Sequence, residues 1–225
     1  MGNLTTLSDM KLMLSIPDAV TTSDTLLTLL IAQTSRRIET YLSRVLGYAD
    51  YVEPMAPSFV QVLQMPQWPI RKVTSIYSQE QLLTPDVDYF TYKQYTESGE
   101  IYRGQTWWGP TYVRGLTSDP YAGQFILVVT YSAGYDLPGS TPPVGIDAYP
   151  LPEDISLVCQ MMVAQTYNDI KRRNLGGDLS SYSEGGISMS WDHMAERNPD
   201  SFLIMGGMTS QFASILNPYK KWALA

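Results

Sequence analysis

One long amphipathic helix constrains the fold of this chain more than any other feature. The segment from Leu151 to about Asn174 carries helix signals at both of its ends. Pro152 suits the first helical position, because its missing N–H would have no partner there. Glu153 and Asp154 place negative charge at the positive end of the helix dipole. A helix of this length, about 33 Å at the usual rise per residue, predicts the spine of a helical core.

The side of this helix that faces the core follows from the spacing of its apolar residues. The predicted face consists of Ile155, Val158, Cys159, Met161, Met162, Val163 and Ile170, continued by Gln165 and Thr166. The basic run Lys171–Arg173 falls in the last turn, where positive charge is favourable. Gly176 and Gly177 offer the left-handed exit that often ends a helix.

A pair of helices is predicted at the start of the chain. Thr6 and Asp9 form a capping-box pattern for the first helix, and Ser23 is the predicted N-cap of the second. Gly47 is the predicted C-cap of the second helix. The predicted buried stripe of the second helix is Leu27, Leu30, Ile31, Thr34, Ile38, Tyr41, Leu42 and Val45. A short loop between the helices predicts an antiparallel pair.

Between about Tyr51 and Tyr135 the composition changes to one typical of strands. Prolines punctuate the segment, charged residues become fewer, and tyrosine, tryptophan and β-branched residues dominate. The predicted strands are 73–77, 89–93, 101–103 and 124–131. The last of these is a nearly unbroken apolar run, which predicts a strand at the centre of a sheet.

The C-terminal region combines a polar loop, an extended segment, a helix and a tail. Residues 178–183 are predicted to form a polar loop, and Ile187, Met189 and Trp191 alternate with serines as in a short strand or arm. A helix is predicted from about Asp200, weakened by glycines and resuming over 209–216. The tail is basic and aromatic and contains Tyr219, Lys220, Lys221 and Trp222.

These predictions combine into an α+β chain with a small helical bundle core and an inserted strand-rich subdomain. The core consists of the N-terminal helix pair, the long central helix and the C-terminal helix. The predicted boundaries are 1–50 for the helix pair, 51–137 for the aromatic β-rich insert, 138–150 for a linker, 151–217 for the central and C-terminal helices with a Gly/Ser-rich loop, and 218–225 for the tail.

Charge and cysteine content exclude several classes of protein. Fifteen basic residues against twenty-two acidic ones give a net charge of −7, which argues against a broad phosphate-binding surface. A single cysteine excludes an intrachain disulfide framework. There is no apolar stretch of the length of a membrane span and no recognisable signal peptide, so we expect a soluble protein with no membrane partner.

No constellation of residues points to catalysis. His193 is the only histidine, and although Asp192 and Glu196 lie near it, a metal site or a catalytic triad needs further convergent groups. Cys159 lies mid-helix among apolar residues, which favours a buried, inert thiol. We therefore predict no catalytic residue, no metal site and no cofactor.

The aromatic residues allow two interpretations. Sixteen tyrosines, five tryptophans and five phenylalanines are present, and Trp68, Trp107 and Trp108 could form a platform for a sugar. The simpler interpretation is a core or a subunit interface, where tyrosine and tryptophan are enriched. The residues predicted to contribute to an interface are Trp107, Trp108, Ile187, Met189 and Trp191.

Several patterns, in this order along the chain, resemble the head–tail connector (adaptor) proteins of long-tailed bacteriophages. The patterns are Leu12–Ile16, Asp24–Leu30 and Ile38–Arg44 in the helix pair, Trp68–Ile76, Val128–Tyr135 with Leu151–Ile155 after a linker, and Ser183–Trp191. Each pattern is structural and none is catalytic, so the order carries the resemblance. The insert here is longer and more aromatic than in the minimal helical members of the family.

The resemblance implies a structural virion protein of the neck, made in the host cytoplasm. Such connectors form a ring, typically of twelve copies, beneath the portal, extend the DNA channel and present a surface to a stopper or tail component. Double-stranded DNA would pass without specific binding, in line with a ring charge of about −84. Family C-terminal segments dock on the portal protein, which implies that role for Tyr219, Lys220, Lys221 and Trp222.

Three alternatives stay open at this point. Another neck protein, such as a stopper or a tail-completion protein, would share most of these patterns. A carbohydrate-binding module built on the aromatic insert belongs to a different class of function, and so would an enzyme that uses His193.

Overall fold

In the computed structural model, the described residues are 2–55, 60–78, 81–104, 127–141, 146, 148–176, 181–184, 187–190 and 209–221, with only the backbone described for 172–176, 181–184 and 187–190. The elements, in chain order, are α1 (Leu7–Met13), α2 (Asp24–Leu42), β1 (Ala49–Met55), β2 (Val62–Gln64), β3 (Ile70–Ser78), β4 (Gln81–Leu82), α3 (Lys93–Thr96), β5 (Glu100–Tyr102), β6 (Leu127–Ala133), α4 (Glu153–Gly176), β7 (Ser181–Glu184), β8 (Ile187–Ser190) and α5 (Ser210–Leu216). Helices and antiparallel sheets together confirm the α+β class.

The chain divides into two compact units. The first, which we call the helical unit, comprises residues 1–44, 137–139 and 151–225, and the second, the strand unit, comprises 45–136 and 140–150. In the helical unit α2 and α4 pack together, with α1 and α5 against them. In the strand unit a four-stranded sheet and a two-stranded sheet share one apolar cluster.

The start of α1 follows the predicted capping box. The Thr6 hydroxyl accepts a hydrogen bond from the Asp9 N–H at 3.1 Å, and the Asp9 carboxylate accepts one from the Thr6 N–H at 3.4 Å. These bonds satisfy N–H groups that have no partner inside the helix. The local sequence alone was therefore enough to position this helix start.

Both ends of α2 differ in part from the prediction. Ser23 is the N-cap residue, but its side chain makes no capping bond and instead forms a 2.8 Å hydrogen bond with the Tyr167 hydroxyl. The helix ends at Ser43, which adopts a left-handed conformation with φ of 56°, so the prediction of Gly47 as the C-cap was wrong. The N–H groups of Ser43 and Arg44 bond to the carbonyls of the last turn, which ends the helix without a glycine.

The buried face of α4 agrees with the prediction in its first three turns. Ile155, Val158, Cys159, Met162 and Val163 are buried. The next turn was predicted incorrectly, because Gln165 and Thr166 are exposed and Tyr167 continues the face. Tyr167 lies four residues after Val163, so it follows the helical period, and its hydroxyl reaches a polar partner while its ring stays buried.

The four-stranded sheet has the order β1-β6-β3-β4, with every pair antiparallel. The predicted apolar strand corresponds to β6, which lies between two neighbours as its sequence indicates. The strand β1 was not predicted as such, and it contains Pro54. As β1 is at the end of the strand order, a residue without an N–H is tolerated there.

One side of this sheet holds the core of the strand unit. The cluster includes Leu63, Met65, Ile70, Ile76, Leu83, Tyr89, Ile101, Leu127, Val129, Tyr131 and Ala133. The Tyr131 hydroxyl donates to the Glu53 carboxylate at 2.8 Å. Burial, together with this bond, raises the pKa of Tyr131 far above its usual value. The tyrosine is therefore neutral and holds β1 to β6 with its side chain.

Two predicted segments have a different structure. The predicted strand 89–93 is not a strand: Tyr89 and Phe90 make only isolated bridges, and the chain then turns into α3. The predicted polar loop 178–183 is in part a strand, since β7 pairs with β8. The predicted strand over Ile187 and Met189 corresponds to β8, whose serine-rich partner has too little apolar alternation to be recognised from sequence.

Within the described part of the chain, no helix has the length and apolar character that a membrane span requires.

Candidate assembly surfaces

The C-terminal tail begins on the surface of its own helical unit. Residues Asn217–Tyr219 form a short 3-10 turn directly after α5. The Tyr41 hydroxyl donates to the Asn217 side-chain oxygen at 2.7 Å, and the Tyr219 hydroxyl donates to the Asp154 carboxylate at 3.3 Å. The start of the tail therefore lies against the C-terminal end of α2 and the first turn of α4.

Two further contacts join the tail to the end of α2. The Lys221 N–H donates to the Leu42 carbonyl at 2.9 Å, which satisfies a carbonyl that has no partner inside the helix. The Lys220 ammonium lies 4.7 Å from the centre of the Tyr41 ring. The last turn of α2 contains no basic residue of its own. Lys220 thus places positive charge near the negative end of the helix dipole.

Only part of the predicted partner surface can be compared with the structure. Tyr219, Lys220 and Lys221 are half-buried, and Trp222 lies outside the described residues. Of the predicted interface residues, Ile187 and Met189 are in β8 with only their backbone described, while Trp107, Trp108 and Trp191 lie outside the described residues. These assignments remain predictions.

A row of apolar residues crosses the outer face of the four-stranded sheet, a surface that the sequence analysis did not identify. Cross-strand pairing aligns Pro54 with Val128, Val128 with Tyr77, and Tyr77 with Leu82. Directly paired residues lie on one face of a sheet. Tyr77 is 41% exposed and Leu82 is 54% exposed, and Val52 on the same face is 67% exposed.

Leu157 shows a similar feature in the helical unit. It lies on α4, on the side opposite the buried face, and is 48% exposed. Leu29 on α2 and Leu12 on α1 are also exposed. Each unit thus presents large apolar side chains of a kind that protein–protein contacts commonly cover.

Four aromatic rings form a second cluster in the strand unit. Phe90 stacks on Tyr92 with ring centres 5.6 Å apart, and Tyr95 stacks on Tyr102 at 6.2 Å. Tyr92 also meets Tyr95 edge to face. Each stacked ring covers one face of its neighbour, and Tyr92 remains 47% exposed. The sugar platform was predicted at Trp68, Trp107 and Trp108 and not at these rings, so this cluster does not test it.

The most telling sequence pattern, Val128–Tyr135, has a structural explanation at Gly134. This glycine has a φ of +112°, and a Cβ placed on it would lie 2.5 Å from the Gly47 carbonyl oxygen. Its N–H donates to the Pro69 carbonyl at 2.9 Å, so the glycine also joins β6 to the start of β3. Only glycine tolerates both the backbone conformation and the close approach.

Arg71 completes this arrangement, which we call the Arg71 junction. Its side chain is fully buried, pairs with Asp136 at 2.7 Å and donates from Nε to the Gly134 carbonyl at 2.7 Å. The rings of Tyr48 and Tyr149 lie 5.0 and 5.9 Å from the guanidinium carbon. Residues distant in sequence are thus joined through one buried cation. The junction explains why the Trp68–Ile76 and Val128–Tyr135 patterns occur together.

The described residues show no arrangement suited to metal binding, because no group of three metal-binding side chains converges among them. His193 lies outside the described residues. Cys159 is buried, and burial raises the pKa of its thiol to about 11. A thiol that stays protonated near neutral pH is a poor nucleophile, as expected from the sequence.

The N-terminal part of the chain is similar to a known protein family. Residues 4–75 match the model of the family described as phage gp6-like head–tail connector protein. The match extends from the residues before α1 into β3 and so includes the helix pair and β1. The resemblance to head–tail connector proteins is therefore confirmed by a family match over about a third of the chain.

A solved structure titled "Neck of empty GTA particle computed with C6 symmetry" is similar over 99% of this chain and 92% of that chain, with a TM-score of 0.47 and 10% sequence identity. Similarity at that level supports no statement about this chain. No curated protein matches the chain.

Proposed function

We propose that this chain is a structural virion protein, a head–tail connector (adaptor) located in the neck at the head–tail junction and without enzymatic activity. The observation that carries the proposal is the family match over residues 4–75. The order of the remaining patterns, including the glycine-dependent Val128–Tyr135 segment, supports it over the rest of the chain.

We further propose that the protein acts as a ring of about twelve copies under the portal. A closed ring uses a heterologous interface, in which each copy contributes two different faces. The apolar row on the outer face of the sheet is one candidate face. The exposed side of α4 around Leu157 is a candidate for the other. Both faces present large apolar side chains that are already exposed in the folded chain.

Charge supports a channel through which DNA moves freely. Each copy carries −7, so a ring of copies repels the phosphate backbone overall. A wall of this sign does not favour condensation of double-stranded DNA on it. Such a ring would extend the DNA channel of the portal and offer its opposite surface to a stopper or tail component.

Attachment to the portal is the part of the proposal that involves the C-terminal tail. Tyr219, Lys220, Lys221 and Trp222 are the proposed portal-binding residues. Their basic and aromatic character suits an acidic or apolar pocket on a partner. The first three are only half-buried, so each keeps surface that a partner could cover.

Electron microscopy of the purified chain mixed with the portal protein of the same virus tests this proposal. We expect ring-shaped density on one end of the portal, and the absence of any complex would contradict it. A variant that lacks residues 218–225 should remain folded and bind the portal more weakly. Unchanged binding by that variant would exclude the tail as the anchor.

A carbohydrate-binding role is the alternative from a different class. A glycan array with the full chain and with a Trp107→Ala/Trp108→Ala variant distinguishes it. Glycan binding that is lost in the variant would favour this alternative, whereas the connector proposal expects no glycan binding by either protein.

A further inference from the structure

The contacts at the end of α2 have a consequence for how the tail reaches a partner. Five residues make them: Tyr41 and Leu42 on the side of α2, and Asn217, Lys220 and Lys221 on the side of the tail. They include a side-chain hydrogen bond, a backbone hydrogen bond and a cation–ring contact. Three different kinds of contact at one place restrict both the position and the direction of the chain.

We propose that these residues form a clamp that fixes Tyr219, Lys220 and Lys221 on the helical unit, so that these three proposed portal-binding residues are presented to the portal in one arrangement. This inference rests on the proposed function for its partner, but the clamp itself is defined by contacts within the chain. In the clamp, Tyr41 and Asn217 are positioning residues and do not themselves need to touch the portal.

The backbone hydrogen bond from Lys221 fixes where this residue lies on the helical unit. The Leu42 carbonyl belongs to the last turn of α2 and points along the helix axis, away from the helix. An N–H that donates to it places Lys221 at the end of α2.

The side-chain contacts hold the preceding turn in place. The Tyr41 hydroxyl bonds to Asn217 at the start of the 3-10 turn, and the Tyr219 hydroxyl bonds to Asp154 on α4. The turn is thus attached to two helices. Buried residues of α5, Phe212 and Leu216, hold the chain on the other side of the turn.

A fixed tail has an advantage in binding. A flexible segment loses conformational entropy when it binds, and a segment already held in the bound conformation loses less. In a ring the effect is multiplied, because every copy presents its tail at an equivalent position. Loosening the clamp should therefore weaken portal binding even when Trp222 is intact.

The test uses the full chain and the Asn217→Ala and Tyr41→Phe variants, with Tyr92→Phe as the matched control. Tyr92 is an exposed tyrosine of the strand unit, outside the proposed ring faces, so its change removes the same hydroxyl elsewhere. Two quantities are measured for each protein: amide hydrogen exchange at Lys221 and affinity for the portal protein. Thermal unfolding verifies that the variants fold, and Asp154→Ala, which removes the acceptor of the Tyr219 hydroxyl, replaces any variant that does not.

We expect faster exchange at Lys221 and roughly tenfold weaker portal binding in both clamp variants, with neither change in the control. Unchanged exchange would show that the clamp does not form. Faster exchange with unchanged affinity would show that the clamp does not position the tail.

Deleting residues 218–225 in the same assay separates this inference from the proposed function. If that deletion leaves portal affinity unchanged, the proposed anchor fails, and so does the proposed benefit for portal binding. The exchange measurement then still decides whether the clamp itself exists. If the deletion weakens binding but the clamp variants do not, the anchor stands and the positioning role is wrong.

Discussion

The helical unit and the strand unit are stabilised in different ways. In the helical unit, α2 and α4 pack together through mainly apolar faces. The polar contacts there include a hydrogen bond from the Leu4 N–H to the buried Ser35 hydroxyl and an ion pair between Lys11 and Asp24 at 2.7 Å. The strand unit has an apolar cluster of its own, but the chain segments around it are joined by a buried ion pair and a glycine in a left-handed conformation.

This difference predicts different sensitivities to mutation. A stripe of apolar side chains tolerates changes that keep size and polarity, because neighbouring side chains can adjust. A junction of one buried cation, its carboxylate and a glycine has no similar substitute. The helical unit should therefore lose stability mainly when a buried apolar residue is replaced by a polar one. The strand unit should lose stability when a single residue of the Arg71 junction is replaced.

The largest effect is expected from Val158→Asp in α4. Val158 is fully buried, so an unpaired carboxylate there would unfold or aggregate the protein. Far-UV circular dichroism and sedimentation measure the outcome. Leu157→Asp, on the exposed side of the same helix, is the control and should leave the fold intact. A stable, monodisperse Val158→Asp variant would mean that the buried face of α4 is assigned incorrectly.

Arg71→Met should have the next largest effect. It removes the cation from a buried pair and leaves the Asp136 carboxylate without its partner, which costs about 3–5 kcal/mol of unfolding free energy. Lys72→Met is the matched control. Lys72 is the exposed neighbour of Arg71, so this substitution should change the free energy of unfolding by less than about 0.5 kcal/mol. Chemical denaturation compares the two, and equal stabilities would contradict the importance of the junction.

The substitution Gly134→Ala tests the other component of the junction. The new methyl group would lie 2.5 Å from the Gly47 carbonyl oxygen, and the backbone has a φ that alanine rarely adopts. We expect a loss of about 2–4 kcal/mol, measured by denaturation. Gly139→Ala is the control for backbone conformation alone, because it has a φ of +77° but open space around it. Equal losses for the two variants would show that the close approach to Gly47 adds nothing.

The smallest effect is expected from Thr6→Ala in the helical unit. It removes the capping bond to Asp9 and should cost about 1 kcal/mol. Thr40→Ala is the control, because the Thr40 hydroxyl bonds only to a carbonyl within its own helix. Thermal unfolding resolves a difference of this size. A loss as large as that of Arg71→Met would remove the contrast between the units.

The same contrast explains which features the sequence predicted. The helix pair, α4 and the capping box at Thr6 depend on residues close in sequence, so their spacing was sufficient. Two features were predicted incorrectly. The end of α2 depends on a left-handed conformation that serine seldom adopts, and the 89–93 segment makes only isolated bridges, one of them to Tyr102. The pairing of Arg71 with Asp136 joins residues far apart in sequence, and no local pattern indicates it.

For the candidate surfaces too, the sequence indicated the local features and missed those that depend on distant residues. The aromatic and basic character of the tail was visible in the sequence, but its attachment to Tyr41 and Leu42 was not, because those partners lie far away along the chain. The apolar row across the sheet was missed as well. It depends on cross-strand register, which aligns Tyr77 with Val128 and Leu82 only once the strands are paired.

If this chain works as one segment of a closed ring attached to the portal, as we propose, the ring should be found on the portal in solution. Native mass spectrometry of the purified chain with its portal protein tests this most directly. We expect a single complex in which about twelve copies of this chain accompany one portal ring. A chain that stays monomeric at high concentration and adds no mass to the portal would contradict it.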